Sequence, residues 1–357
     1  MWNILKRNWM ALVAPSLAAG LMTATFVQLA AAPSTQTGLD CEARLADTAP
    51  LTSPDREWLE RCVSAFSPRP TGTTPPATSP PVTTTLPGPT PTQPTQTWPN
   101  PGNTGVPAFW QPVTTRSTNL VINGGTHVVE DVLFTNGADL IINSGSVTLR
   151  RSLFQGGVVN NRPGSVCAGL TLNQVTFKRP TGTVTDADQE GTVRYGGYTA
   201  NRVFMDGVTE GFRNGGCGST TIQNTFIRVQ SPDVCRDWHG DGIQGYGGGP
   251  MIIRNVSVDF QERGGCGGTA PFFYPRNQGN TSVDIDRLLV SGGGFSFRSG
   301  MPGPVRNLKI VNNSWGYGPI DVRCSVVTGW NTQIVTVDSA WQPTNVRTQA
   351  CTTESGF

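Results

Sequence analysis

Between Val129 and Ile310 one short stripe keeps returning: apolar, polar, polar, small or apolar, any residue, apolar. Its eight copies begin at Val129 (VEDVLF), Leu149 (LRRSLF), Leu172 (LNQVTF), Ala200 (ANRVFM), Ile222 (IQNTFI), Ile253 (IRNVSV), Ile285 (IDRLLV) and Val305 (VRNLKI). The starts are 20, 23, 28, 22, 31, 32 and 20 residues apart. That period is too long for a hairpin and too irregular for helical repeats. It suits a solenoid in which each turn lays a strand on the previous one, while loops of varying length bulge from one side. Function then has two places to reside, the outward side chains of stacked strands and the loops beside them.

Each turn also holds a second apolar segment, read at Ala138–Asn143, Gly211–Arg213, Gly242–Tyr246, Phe272–Arg276, Phe295–Arg298 and Ile320–Arg323. Val326–Val337 supplies a final turn or cap. Eight to nine turns stacked ~4.8 Å apart make a coil about 40 Å long. Asn201, Asn224, Asn255 and Asn307 of the stripe are placed to tolerate tight bends between strands.

Ahead of the coil, assigned to 106–357, the chain changes character. Lys6 and Arg7 precede an apolar stretch from Met10 to Ala32, so residues 1–32 read as an export signal, with an uncleaved anchor as the alternative. Apart from such an anchor no membrane contact is expected. Residues 39–66 read as a small helical module: Ser53-Pro54-Asp55 is a helix start, and Trp58, Leu59, Cys62, Val63 and Phe66 fall on one face. Residues 67–105, rich in Pro and Thr, form an extended linker.

Eight cysteines fit a secreted, extracellular or cell-surface location. The pairings expected from their placement are Cys41–Cys62, Cys167–Cys217, Cys235–Cys266 and Cys324–Cys351, the alternative for the last six being buried thiols. Only 14% of the 357 residues are charged and the net charge is +2, which leaves no concentrated basic surface for a nucleic acid. A monomer is expected.

The densest motif is CRDWHGDGIQGYGGG, residues 235–249. Its HGDGIQ resembles the (N/H)xDGIQ segment of right-handed parallel β-helix proteins of the pectate-lyase-like superfamily, a likeness that covers about residues 115–340. The resemblance implies an all-β, right-handed parallel β-helix, and it does not select a reaction. The segment is also similar to the Asn-Thr-Asp strand of polygalacturonases, with Asp241 in the place of the acid. The rest of that pattern is absent: the next turn reads PFFYPRN, and the two histidines, His127 and His239, leave no Gly-His-Gly. An inverting hydrolase needs carboxylates about 6.5–9.5 Å apart; Asp237 and Asp321 are the candidate partners for Asp241.

Alternation along the second segments offers a separate line. With Phe212, Ile243, Phe273, Phe295 and Ile320 inward, one outer column reads Arg213, Gln244, Tyr274, Ser296, Asp321. A second reads Tyr246, Arg276, Arg298, Arg323, placing three arginines in file. This points to a secreted carbohydrate-active protein that cleaves an acidic polysaccharide by β-elimination. Lyases of the superfamily that the chain resembles commonly use Arg or Lys as the base, often beside calcium, so the resemblance implies Arg276 or Arg298 as the base, with Arg213, Gln244, Asp321, Arg323 and the rings of Tyr246, Tyr274 and Trp238 binding sugar. Asp233, Asp237 and Asp241 would hold Ca²⁺, and His239 is a general-base candidate. The alternatives are hydrolysis on the same fold and a non-catalytic wall-binding protein whose arginines are edge residues paired with Asp321 and loop acids.

Overall fold

The structure, a computed structural model, describes residues 97–161, 169–185, 191–235, 238–263 and 266–356. All of them belong to one compact unit, Thr90–Phe357. The export segment, the 39–66 module, most of the linker, and Cys41, Cys62, Cys167 and Asp237 lie outside the described residues. No helix among the described residues is long and apolar enough to cross a membrane.

The described chain is all-β, relieved by two short 3-10 turns, Arg276–Gln278 and Cys324–Val326. Its named strands pair in parallel, apart from a closing hairpin between Thr332–Val337 and Pro343–Thr348. The chain alternates between two ladders, a pairing compatible with a solenoid. The first ladder runs through Leu120–Glu130, Leu140–Gln155, Gly169–Lys178, the pair Tyr198–Asn201 and Phe204–Val208, Thr220–Gln230, Met251–Gln261, Val283–Ser291, Gly303–Val311 and Thr332–Val337. In it the stripe copies stand opposite one another without slip: Val129 on Leu149, Leu149 on Leu172, Leu172 on Ala200, Ala200 on Ile222, Ile222 on Ile253, Ile253 on Ile285 and Ile285 on Val305.

The stripe has a local cause. Its third residue is left-handed in all eight copies: Asp131 (φ 53°), Arg151 (43°), Gln174 (56°), Arg202 (54°), Asn224 (50°), Asn255 (58°), Arg287 (65°) and Asn307 (51°). One such residue breaks the two-residue alternation of a strand, so the inward positions become one, four and six. Ile253, Val256 and Val258 are fully buried on that plan, as are Ile285, Leu288 and Val290. Asn224, Asn255 and Asn307 occupy the bend itself, whereas Asn201 precedes it and Arg202 takes the turn. Asn201 serves in a different way. Its amide donates to Asn173 Oδ1 (3.1 Å) and accepts from Asn224 (3.0 Å), and Asn255 donates to Asn224 (3.0 Å). The resulting amide ladder ties four successive turns together at their bends.

Position six builds a stacked interior. Phe134, Phe154 and Phe177 lie with ring centroids 4.1 and 4.8 Å apart. Outside the first ladder, the segment around Trp98, at the end of the stretch read as linker, lies across the strands. Trp98 packs with Leu289 and Val335, and the Arg287 guanidinium stands 4.4 Å from its ring.

The second ladder runs through Val159–Asn160, Val193–Arg194, Phe212–Asn214, Asp241–Gly245, Ala270–Tyr274, Phe295–Ser299 and Gly318–Val322. Here the register departs from the sequence expectation. Ile243 pairs with Phe272, and Phe272 with Phe297, so Phe272 and Phe297 are the inward residues rather than Phe273 and Phe295. Both are fully buried and their rings stack at 5.0 Å. The disulfides Cys235–Cys266 and Cys324–Cys351 form, and Cys217 is also disulfide-bonded.

Candidate functional site

The true register assembles a different outer column: Arg194, Arg213, Gln244, Phe273, Arg298, Asp321. Arg213, Gln244 and Asp321 stand where alternation put them. Tyr274 and Ser296 are replaced by Phe273 and Arg298. Tyr274 is fully buried; its hydroxyl accepts from Asn214 Nδ2 (2.9 Å) and donates to the Gly249 carbonyl, so it offers no face to a sugar. Burial raises its phenol well above the usual range.

The file of three arginines is not formed. Arg276 leaves the ladder on the 3-10 turn, and Arg323 follows the last rung, bridged through its backbone to Glu354. Arg298 pairs with Asp321 on the next rung (Nε–Oδ2 2.9 Å) and stands 5.1 Å over the Phe273 ring. The competing expectation, edge arginines paired with Asp321, describes Arg298 correctly. The cause of the error is aromatic density: AlaProPhePheTyr and PheSerPheArgSer carry large side chains on both alternations, so pattern alone does not say which face is inward.

Of the three calcium candidates, Asp233 and Asp241 are among the described residues. Asp233 accepts from the Val184 N–H (2.8 Å) and lies 3.2 Å from Arg179. These contacts, the backbone one first, hold its carboxyl below the usual value. Asp241 is buried on its strand, and no group of His, Cys, Asp and Glu among the described residues could hold a metal ion. Trp238 is also buried, stacked on Phe260 at 5.5 Å, with its indole N–H donating to the Thr209 carbonyl (3.0 Å). It is therefore no sugar platform. It does anchor the loop, and a Cβ on Gly240 would come within 2.3 Å of its ring, so only glycine lets the chain turn there. The next residue after Trp238, His239, is thereby left exposed at a cleft.

That cleft, about 310 Å³, is lined by Glu210, Arg213, His239, Gln244, Tyr246 and Phe273 among others. Glu210 is the group that sequence reasoning missed. Phe212 pairs with Ile243, which sets Glu210 in line with Asp241 one rung away. The signal was present: EGFRN and DGIQG repeat acid, glycine, apolar, polar at one spacing. Both carboxyls are buried, Glu210 to 4% and Asp241 to 1% exposure. Asp241 Oδ1 accepts from the Ala270 N–H (3.1 Å), while Oδ2 is buried with no hydrogen-bond partner among the described residues. Burial first, and the Glu210 charge second, push the Asp241 carboxyl well above the carboxylate range, against the pull of Ala270, Arg213 and Arg298. Arg213 Nε lies 3.9 Å from Glu210 Oε1, and its guanidinium stands 5.5 Å from the ring of the exposed Tyr246.

The arrangement thus joins two buried carboxyls, a histidine at the mouth, one guanidinium and an exposed aromatic ring. No known protein family, curated protein or solved structure matches the chain.

Proposed function

We propose that this chain is an exported right-handed parallel β-helix protein that binds a carbohydrate in the Glu210–Tyr246 cleft and hydrolyses it. The observation that carries this reading is the alignment of Glu210, in the lining of a polar cleft, with the buried Asp241 one rung away. Burial and like charge disfavour ionisation of both carboxyls at once. Glu210, which lines the cleft, gives its carboxyl proton to the departing glycosidic oxygen, with Asp241 buried behind it. His239, on the exposed side, takes the proton from the attacking water, so the step balances without a further reagent. Tyr246 stacks on a sugar ring and Gln244 donates to its hydroxyls. The in-register ladders, the left-handed residue in every stripe and the HGDGIQ segment support the helical coil and its likeness to the pectate-lyase-like superfamily. The disulfides favour export.

Elimination from a uronic acid is the second reading, favoured by Arg213, a cation in the cleft lining suited to a substrate carboxylate. One assay separates the chemistries. Acidic and neutral glycans are incubated with the protein, with and without a calcium chelator, and new reducing ends and the ultraviolet absorbance of an unsaturated uronate are followed. Reducing ends without that absorbance, lost in Glu210→Gln, are expected. Absorbance growing in step with cleavage would establish elimination, and sensitivity to the chelator would restore calcium. Binding without either signal would make the protein a lectin-like one.

A further inference from the structure

A second cleft, about 260 Å³, adjoins the first and is lined by Tyr195, Arg213, Asn214, Gly215 and Tyr246. Arg213 and Tyr246 line both, so the cation–aromatic pair is the partition between them. The two are offset. Thr269 and Phe273 of the first belong to the Ala270–Tyr274 rung and its approach, whereas Tyr195 follows the Val193–Arg194 rung, two pairings away from that of Gln244. Together they cross four rungs obliquely, the first cleft running from the strand starts at Glu210, His239 and Thr269 past the strand ends at Tyr246 and Gln278, and the second lying at the strand ends of the earlier rungs. Three spacings of ~4.8 Å give a span of about 14 Å. The floor of the second cleft is firm: Asn214 is fully buried and donates to the Tyr274 hydroxyl (2.9 Å), and Gly215 has no side chain to fill the space. Beyond Phe273 the column is occupied, because Arg298 lies over that ring and is held there by Asp321.

We infer that the two clefts form one oblique, closed-ended groove for a short saccharide or a chain end of about three sugar rings, with Tyr195 and Tyr246 supplying the stacking faces. A long polymer lying along the stacked rungs would have to pass the Arg298–Asp321 pair, which blocks that course. The inference rests on the carbohydrate reading and adds to it the size of the ligand and its direction across the strands.

The test is calorimetric titration of the intact protein, with its catalytic Glu210 replaced (Glu210→Gln), against oligogalacturonides and cello-oligosaccharides of increasing length. Affinity is expected to rise up to about three rings and then stay level, and Tyr195→Ala and Tyr246→Ala should each weaken binding of the trimer about tenfold without changing the melting temperature. Affinity that keeps climbing well past that length, or a trimer indifferent to Tyr195→Ala, would overturn the short oblique groove while leaving a carbohydrate-binding protein intact. Failure of every saccharide to bind would remove the carbohydrate reading and this inference with it.

Discussion

Asp241 shows how one position is set by its surroundings. A carboxyl whose native pKa lies above its unfolded value of about 3.9 binds an extra proton in the folded state between those two values. Its favourable contribution is therefore complete below about pH 4 and is lost as pH rises toward the raised native value. Asp241→Asn keeps the shape and removes the titration. The variant should show a flatter melting temperature between acid and neutral pH, and it should melt above the wild type at neutral pH. Parallel curves for the two proteins would mean that Asp241 ionises normally. Glu210, Arg213 and Arg298 are the charged groups that act on Asp241, so their single variants should shift the curve in opposite senses by charge. At this scale the pair was half legible. Asp241 stands out within HGDGIQ, but Glu210 becomes its neighbour only through a pairing between residues 31 positions apart.

The bend at stripe position three is a property of an element and can be tested there. Asn224 combines a left-handed backbone (φ 50°) with an accepting and a donating amide in the ladder. Asn224→Gly keeps the backbone at ease and loses the amide, for about 1 kcal/mol. Asn224→Ala loses the amide and strains the backbone, for about 2 kcal/mol. Urea unfolding of both should rank alanine below glycine; equal losses would mean that the left-handed residue carries no strain. On the second ladder, Arg298 and Asp321 are each 16% exposed and share a direct bond. A double-mutant cycle on Arg298→Ala and Asp321→Ala should give a coupling of about 1 kcal/mol. A cycle that closes to zero would mean that the two side chains are held separately, and the groove would then be open at that end. The stripe was readable because it is a local rule, repeated wherever a left-handed residue resets the alternation. The second-ladder register was not, because runs such as PhePheTyr satisfy the pattern in either phase.

For the whole molecule, stability follows from stacking, since each rung is buried by its neighbours and the ends need closing. The C-terminal end is closed by the antiparallel hairpin and by Cys324–Cys351, which span 27 residues. Replacing both cysteines by serine should cost about 3 kcal/mol. Hydrogen exchange should show the loss concentrated in Thr332–Val337 and Pro343–Thr348, with the Phe134–Phe177 stack unaffected. A uniform loss of protection would instead mean that the rungs unfold as a single unit.

The stripe was sufficient to dictate which residues face inward and which copies lie opposite one another, because both depend on backbone sterics within six residues and on burial of apolar side chains. The cysteine spacing likewise anticipated the two bridges that form among the described residues. The composition of the cleft was decided only in three dimensions. Whether an aromatic run turns Phe272 or Phe273 inward depends on what it packs against in the adjacent turns, and that choice places Arg298 beside Asp321, buries Tyr274 and brings Glu210 to Asp241.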